Sequence, residues 1–412
     1  MGMLRSMAAR RVGAVIVALV ALIPLAVQPL PAAAAGTGTL FAITGSTGAM
    51  LSRVDPASGT VTPIVDLSGP DQGQVGTITG DPFTHRIFAV RTSVTFVPPG
   101  AIFIHNELLI INSQSGAFTI AGDVNRSVGQ IALDQSTNNL YVIGSQGIFR
   151  LDASSGATTL VSSLGNVGGS ILSMAIDPGS HNIYVDNITE MPDGSRSSQI
   201  LTVNPQTGAV SSSPALDQTV RMITFDSSAS GLFGVTNSDD LVRIDTALGT
   251  ETVVGNLDNG TPSIYPTGIT EDPTTNTIFV GLQISFDPST SGQLVSSMSD
   301  QTGVLIASPA PSDTILAMYF EPVVVGVTPA SLRADLQAAI ASGAIDNAGV
   351  AKTLLAELDA AAAARTRGQC KTAGNTYQQF INDLKAQSGK HVSAAAATQL
   401  AGEAQFLITH CP

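Results

Sequence analysis

The sequence predicts an all-β, six-bladed β-propeller closed by its own N- and C-terminal strands, followed by a small all-α four-helix domain. Three observations carry that prediction. First, one pattern recurs six times: VGTITGDP from Val75, VGQIALDQ from Val128, ILSMAIDP from Ile171, VRMITFDS from Val220, PTGITEDP from Pro266 and ILAMYFEP from Ile315. The starts lie 53, 43, 49, 46 and 49 residues apart, a period that suits propeller blades. Second, each unit ends in a short polar residue followed four positions later by glycine. Third, composition changes abruptly at about Gly326, from Val, Ile, Thr, Ser and Gly to an Ala-rich helical pattern.

Each copy reads as a strand that ends at an acid or an equivalent polar turn residue. The sixth and seventh residues after the first five of these begin a second strand: Ile87-Phe88, Leu140-Tyr141, Ile183-Tyr184, Leu232-Phe233 and Ile278-Phe279. The closing turns run Asp55 to Gly59, Asn112 to Gly116, Asp152 to Gly156, Asn204 to Gly208, Asp245 to Gly249 and Ser299 to Gly303. There the polar side chain can bond its own backbone while Gly supplies positive φ, so a tight hairpin is expected. Two hairpins per period make a four-stranded blade. The last copy, Ile315 to Pro322, has no second strand after it, whereas Leu40 to Ile43 stands alone near the N-terminus. Pairing these two completes a sixth blade and removes two exposed edges.

In the C-terminal segment, Thr328 can cap a helix entered at Pro329 and stopped by Gly343. Three more helices are expected over about 347–365, 370–388 and 393–409, with Gly389 ending the third. Cys370 and Cys411 are the only cysteines. An even pair in an exported chain reads as one disulfide, and an antiparallel pairing of the last two helices would bring the sulfurs to one end. Closing that loop of 41 residues would contribute roughly 4 kcal/mol in the chain-entropy model.

The run LQAAIASGAIDNAGVAKTLLAEL from Leu336, then GNTYQQFINDLKAQSGKHVS from Gly374 and the Ala-rich last helix, resembles the FIMAH-type helical domain of secreted bacterial proteins. Its landmarks here are Gly343, Ile345, Gly349, Phe380, Ile381, Gln387, Gly389 and Lys390. The resemblance covers about 85 residues and implies an exported accessory module with no catalytic residues to carry over. The propeller is similar in style to secreted bacterial propellers of the lactonase-like and quinoprotein-like kinds. Those families and the WD repeats commonly carry a repeated Trp, and this chain has none, a departure that argues against quinone binding and WD-type recognition.

Residues 1–35 place Arg5, Arg10 and Arg11 before an apolar run from Val12 to Val27 and a small-residue stretch, Ala32 to Ala35. That is the layout of a cleavable secretory signal, so a secreted, extracellular protein without a retained span is expected. The domains are then 1–35 signal peptide, 36–325 propeller and 326–412 helical domain. Residues 36–325 hold 8 Arg, no Lys and 25 acids; residues 326–412 hold 7 basic and 6 acidic residues. A propeller so acidic should repel nucleic acid and anionic lipid, which are held mainly by Lys and Arg. A monomer is expected.

The Asp turns and the Asp-to-Gly turns fall on one face of the propeller. The connections between second and third strands fall on the other, which is the variable and candidate binding face. Long connections occur in alternate blades: Arg91 to Glu107, Asp186 to Gln199 and Gly281 to Gln293. The candidate binding residues are His105, Glu107, Asp186, Glu190, Asp193 and Asp287. Further acids on this face, Asp66, Asp123, Asp240 and Asp313 among them, have no turn duty visible in the sequence. Converging carboxylates would suit Ca²⁺, although no Ca²⁺-loop spacing occurs and no other cofactor is indicated. His85 and His181 occupy a slot filled elsewhere by Asn138, Ser230 and Asn276, which marks a turn position. No Gly-x-Ser-x-Gly elbow, paired-His zinc helix or phosphate loop is present. The expected function is a non-enzymatic propeller binding a protein or glycan at the bacterial surface. The alternative is a hydrolase or lyase, with or without Ca²⁺, working near the channel on the variable face.

Overall fold

A computed structural model describes residues 38–45, 48–97, 101–144, 146–164, 170–227, 231–257, 265–283, 293–322 and 327–410. The signal-like segment lies outside them. The chain opens with β1 (Thr39–Thr44), β2 (Met50–Val54) and β3 (Val61–Asp66). The second blade is β4 (Gln74–Asp81), β5 (Arg86–Val97), β6 (Ala101–Asn112) and β7 (Phe118–Asp123). The third is β8 (Gln130–Asp134), β9 (Asn139–Gly144), β10 (Gly147–Leu151) and β11 (Thr158–Ser163). The fourth is β12 (Ser170–Ile176), β13 (Ile183–Glu190), β14 (Arg196–Val203) and β15 (Val210–Ser212). The fifth is β16 (Val220–Asp226), β17 (Gly231–Thr236), β18 (Asp240–Asp245) and β19 (Thr250–Asn256). The sixth unit is β20 (Tyr265–Asp272), β21 (Thr277–Gln283), β22 (Gln293–Ser299) and β23 (Leu305–Ala307), and β24 (Ile315–Glu321) ends the run.

These strands form six four-stranded antiparallel sheets, and β24 supplies the innermost strand of the first blade in the order β24-β1-β2-β3. The seam is in register, with Phe41 opposite Tyr319 and Ala42 opposite Met318. Six inner strands form a closed ring: β4 packs on β8, β8 on β12, β12 on β16, β16 on β20, β20 on β24 and β24 on β4. The propeller closes through its own termini, as the repeat pattern predicts.

An inner strand is a sheet edge, so its outward N–H groups need acceptors from elsewhere. Side chains of the neighbouring blade supply them. Thr77 Oγ1 accepts from Ile131 N at 3.1 Å, Ser173 Oγ from Ile223 N at 3.0 Å and Thr270 Oγ1 from Phe320 N at 3.0 Å. Apolar side chains fill the remaining space between blades, for example Phe41, Ile43, Ile87, Leu109 and Tyr319 between the first two.

The turns form as their residue types require. Asp81, Asp134 and Asp272 accept from the backbone two residues on, at 3.0, 3.1 and 2.9 Å. Wherever it is described, the slot four residues after a repeat acid is left-handed, with φ of 54° at His85, 56° at Asn138, 62° at His181 and 53° at Asn276. This is the turn position that interchange of His and Asn implies. The two histidines add a bond beyond their turn role. His85 Nδ1 lies 2.6 Å from Glu321 Oε1, and His181 Nδ1 lies 2.9 Å from Asp134 Oδ2, so each ring ties its blade to the preceding one.

Helices α1 (Pro329–Ala341), α2 (Ala348–Thr366), α3 (Cys370–Gln387) and α4 (Ala394–Thr409) follow. Thr328 and Ser331 form a reciprocal capping box, Asn347 caps α2 and Ser393 caps α4. One core unites the four, built on Leu336, Leu354, Leu358, Tyr377, Phe380 and Leu407. The end of α4 seats on the Asp turns of the second and third blades. Phe406 meets Phe83 edge-on at 4.1 Å, the His410 ring stacks on Phe406 at 4.0 Å, and Asn138 Nδ2 donates to Thr409 O at 3.3 Å. His410 is buried, with Nε2 3.9 Å from Asp81 Oδ1. No helix among the described residues is long and apolar enough to cross a membrane.

Two expectations about the variable face need correction. The stretches Arg91 to Glu107 and Asp186 to Gln199 are not irregular connections. Strands β5 and β6 stay paired from Arg86↔Asn112 out to Val97↔Ala101, and β13 and β14 from Ile183↔Val203 to Glu190↔Arg196. β-branched and alternating residues continue through both stretches, so the hairpins lengthen instead of looping. Acids with no turn duty visible in the sequence also have local roles: Asp66 Oδ1 accepts from Ser68 N at 2.8 Å and Asp313 Oδ1 from Thr314 N at 2.7 Å.

Candidate functional site

The second blade carries the most distinctive surface. Its neighbours stop early: β4 last pairs at Gln74↔Thr92 and β7 at Glu107↔Asp123. Beyond those points β5 and β6 continue as a two-stranded arm whose outer edges have no strand partner among the described residues. Ile102, Phe103 and Ile104 near its tip are 59, 58 and 66% exposed. Val94 lies directly opposite Ile104 and is also exposed. Directly opposed residues share a sheet face and neighbours along a strand do not. Ile102, Ile104 and Val94 therefore form one apolar face, and Phe103 belongs to the other.

The Phe103 face continues toward the blade body through His105 and Glu107. Cross-strand pairing sets Arg91 opposite Glu107 and Asp123 on the far side of it, so Arg91, Glu107 and Asp123 form a row with His105 beside it. Arg91 is buried. It donates through Nε to Glu107 Oε2 at 2.8 Å and through Nη1 to Leu67 O at 2.9 Å, while Nη2 bonds the same carboxylate oxygen. The connection from Leu67 to Gly73 wraps this guanidinium. A Cβ on Gly69 or Gly73 would overlap the Arg91 side chain, so both glycines are required for close approach. Glu107 Oε1 is thereby left facing the imidazole. His105 Nε2 lies 3.6 Å from it and 3.2 Å from Asp123 Oδ1. One ligand atom from each of the three residues lies within 4.8 Å of the other two.

The other candidates do not join this group. Asp193 is exposed and caps a tight turn, its carboxylate accepting from Ser195 Oγ at 2.6 Å and Ser195 N at 2.9 Å, bonds that hold its pKa below the usual carboxylate value. Glu190 is exposed opposite Arg196 at the end of the fourth blade's hairpin. Asp287 lies outside the described residues. Asp186 departs furthest from expectation: it is fully buried and offers no surface to a ligand. It sits opposite Ser173 and Ile200, and Ile200 packs against Val220 and Ile223, so this row faces the fifth blade. Neither Asp186 oxygen finds a hydrogen-bond partner among the described residues, and burial pushes its pKa up to about 8.

The central channel differs at its two ends. The Asp-turn end is a cavity of about 170 Å³ bordered by Gln130, Asp134, Gln135, Ser227 and Glu271. Burial and the nearby Asp226 raise the pKa of Glu271, and burial together with the neighbouring Asp226 carboxyl raises that of Asp300 to about 7. These acids sit between the fifth and sixth blades. The variable-face end is lined by Gly76, Thr77, Gly129, Met222, Thr267 and Leu316, among others, and by no titratable side chain among the described residues.

Residues 329–409 match the FIMAH domain. The C-terminal helices are a FIMAH domain. No curated protein matches the chain in sequence. Among solved structures, the chain is similar to a provisionally assigned 6-phosphogluconolactonase from Bacteroides uniformis, with a TM-score of 0.41 and 12% identity over 66% of this chain and 81% of that one. It is also similar to a structural-genomics protein of unknown function from Bacteroides thetaiotaomicron, with a TM-score of 0.45 and 15% identity over 69% of this chain and 71% of that one. Neither likeness carries information on activity.

Proposed function

We propose that this is a secreted, non-enzymatic binding propeller that uses the arm of its second blade to engage a protein at the cell surface, with the FIMAH domain as a docking or spacing unit. The observation that carries this reading is the arm itself. An exposed apolar tip flanked by unpaired strand edges is the kind of surface that a soluble protein keeps for a partner, and free edges permit strand addition by that partner. Between the two ligand classes expected from sequence, a protein fits better than a glycan. Among the described side chains the tip offers exposed Ile102, Ile104 and Val94 with one exposed phenylalanine, Phe103, and the chain contains no Trp. The acidic propeller around the arm favours a partner whose apolar cleft has a basic rim.

Secretion rests on the signal-like residues 1–35, and a Cys370–Cys411 disulfide accompanies it. Cys370 opens α3 and is not free, while Cys411 lies outside the described residues. The alternative, a hydrolase or lyase at the variable-face end of the channel, finds glycine, threonine and methionine there and, among the described residues, no acid or base group in the lining.

The test compares immobilised wild-type chain with an Ile102→Ser, Phe103→Ser, Ile104→Ser triple variant in capturing proteins from culture envelope fractions. All three side chains are solvent-exposed, so the variant should melt as the wild type does. Loss of specific capture at an unchanged melting temperature is the expected result, and identical retained proteins would refute the role of the arm.

A further inference from the structure

We infer that His105, Glu107 and Asp123 form a binding site for a divalent transition-metal ion of the Zn²⁺ class. The argument is one of geometry. Ligands placed about 2.0–2.1 Å from a tetrahedral ion lie roughly 3.3 Å apart, and the imidazole nitrogen stands 3.2 and 3.6 Å from the two carboxylate oxygens. One nitrogen and two oxygens converge on one side of the sheet, leaving a fourth position for water or a partner's side chain.

Backbone register holds this set in place. His105 and Glu107 share a sheet face because they are two residues apart on β6, and Asp123 is the direct cross-strand partner of Glu107. Arg91 engages Glu107 through Oε2 and leaves Oε1 free to point toward the ion, the kind of outer support that fixes a metal-ligating carboxylate. That support is built in, since Arg91 is itself buried and seated against Gly69 and Gly73. Equivalent cross-strand positions elsewhere hold Met50 opposite Asp66, Gly147 opposite Ser163 and Asp240 opposite Asn256. Among the described blades, only the second combines an imidazole with two carboxylates here.

Donor chemistry selects the ion. Ca²⁺ takes six to eight oxygens, and this site offers two carboxylates and a nitrogen. Imidazole with carboxylate instead suits Zn²⁺ and its neighbours in the first transition row. Counting Arg91, Glu107 and Asp123 with a neutral imidazole, the site carries one net negative charge, enough to attract a dication and insufficient for a carboxylate-rich Ca²⁺ cage.

The experiment titrates the untagged full chain with Zn²⁺ alone by isothermal calorimetry and repeats the titration with His105→Ala, Asp123→Asn and, as a control for the separate His391–Asp346 pair, His391→Ala. One ion per chain with micromolar or tighter affinity is expected for wild type and His391→Ala. Binding should weaken at least tenfold in His105→Ala and in Asp123→Asn, and millimolar Ca²⁺ should not displace the ion. Melting curves in EDTA should coincide for all four proteins, because the altered side chains are exposed or partly exposed. Absence of Zn²⁺ binding by wild type, or binding that survives both substitutions, overturns the site.

Discussion

On the Asp-turn rim, Asp81, Asp134 and Asp272 are all buried, and each accepts backbone and hydroxyl donors from its own turn. On the opposite rim the same residue type has no common duty. Asp186 is buried without a partner among the described residues, Asp193 caps an exposed turn, and Asp123 sets Oδ1 3.2 Å from His105 Nε2. The difference shows where repetition constrains chemistry. A turn copied around a ring must satisfy the same donors every time, so its acid is committed to structure. Hairpins that differ from blade to blade carry no such obligation, and there side chains can be buried neutral, exposed or gathered into a site.

Three substitutions sharpen this contrast. The largest effect is expected at Asp186. Its carboxyl keeps a proton up to about pH 8 when folded and releases it near 4 when unfolded. The folded state therefore binds more protons between those values, and stability falls as pH rises through that window. The loss is up to ~1.4 kcal/mol per pH unit, or roughly 4 kcal/mol between pH 4 and 7 as an upper bound. Asp186→Asn should abolish this slope in urea unfolding at pH 5 and pH 8. A variant whose stability follows the wild type across that range would show that the carboxyl is not held neutral.

A smaller effect is expected at Asp81, where Asp81→Ala removes the acceptor for Phe83 N and Thr84 Oγ1 and should cost about 2–3 kcal/mol. Because Phe83 also carries the seat of α4, limited proteolysis should release the FIMAH domain sooner than in the wild type. Equal protection in both proteins would mean that the turn does not hold that seat. The smallest change is expected at Asp193, where Asp193→Ala should leave the melting temperature where it was. A clear drop would give the exposed hairpin turn a structural weight comparable to that of the Asp-turn rim.

Blade count, closing seam and helix limits are legible in the sequence because each follows from a local rule: a period, a turn chemistry or a cap. The metal-ligand group is not, and the reason is a β-bulge. From the turn at Asn112, β6 and β7 pair in step through Leu109↔Ile120, but the next pair is Leu108↔Gly122, and Glu107 then falls opposite Asp123. Regular pairing would set Glu107 against Gly122 and turn Asp123 to the other face. The same irregularity recurs in the outer strands of other blades, at Leu51/Ser52, Ile148/Phe149 and Leu241/Val242, but it is a property of the pairing and not of any residue pattern. The burial of Asp186 escapes the sequence for a related reason: the row it occupies continues into Ile200, and nothing local in the sequence says which side of β13 meets the next blade.

The pairing of Ala42 with Met318 also governs timing. During synthesis the first strand emerges long before the strand that must lie inside it, so early blades can assemble as an open arc but cannot lock. A nascent chain interrupted anywhere before Glu321 keeps a gap in its circle, and completion waits for the final propeller residues rather than for the slowest individual blade.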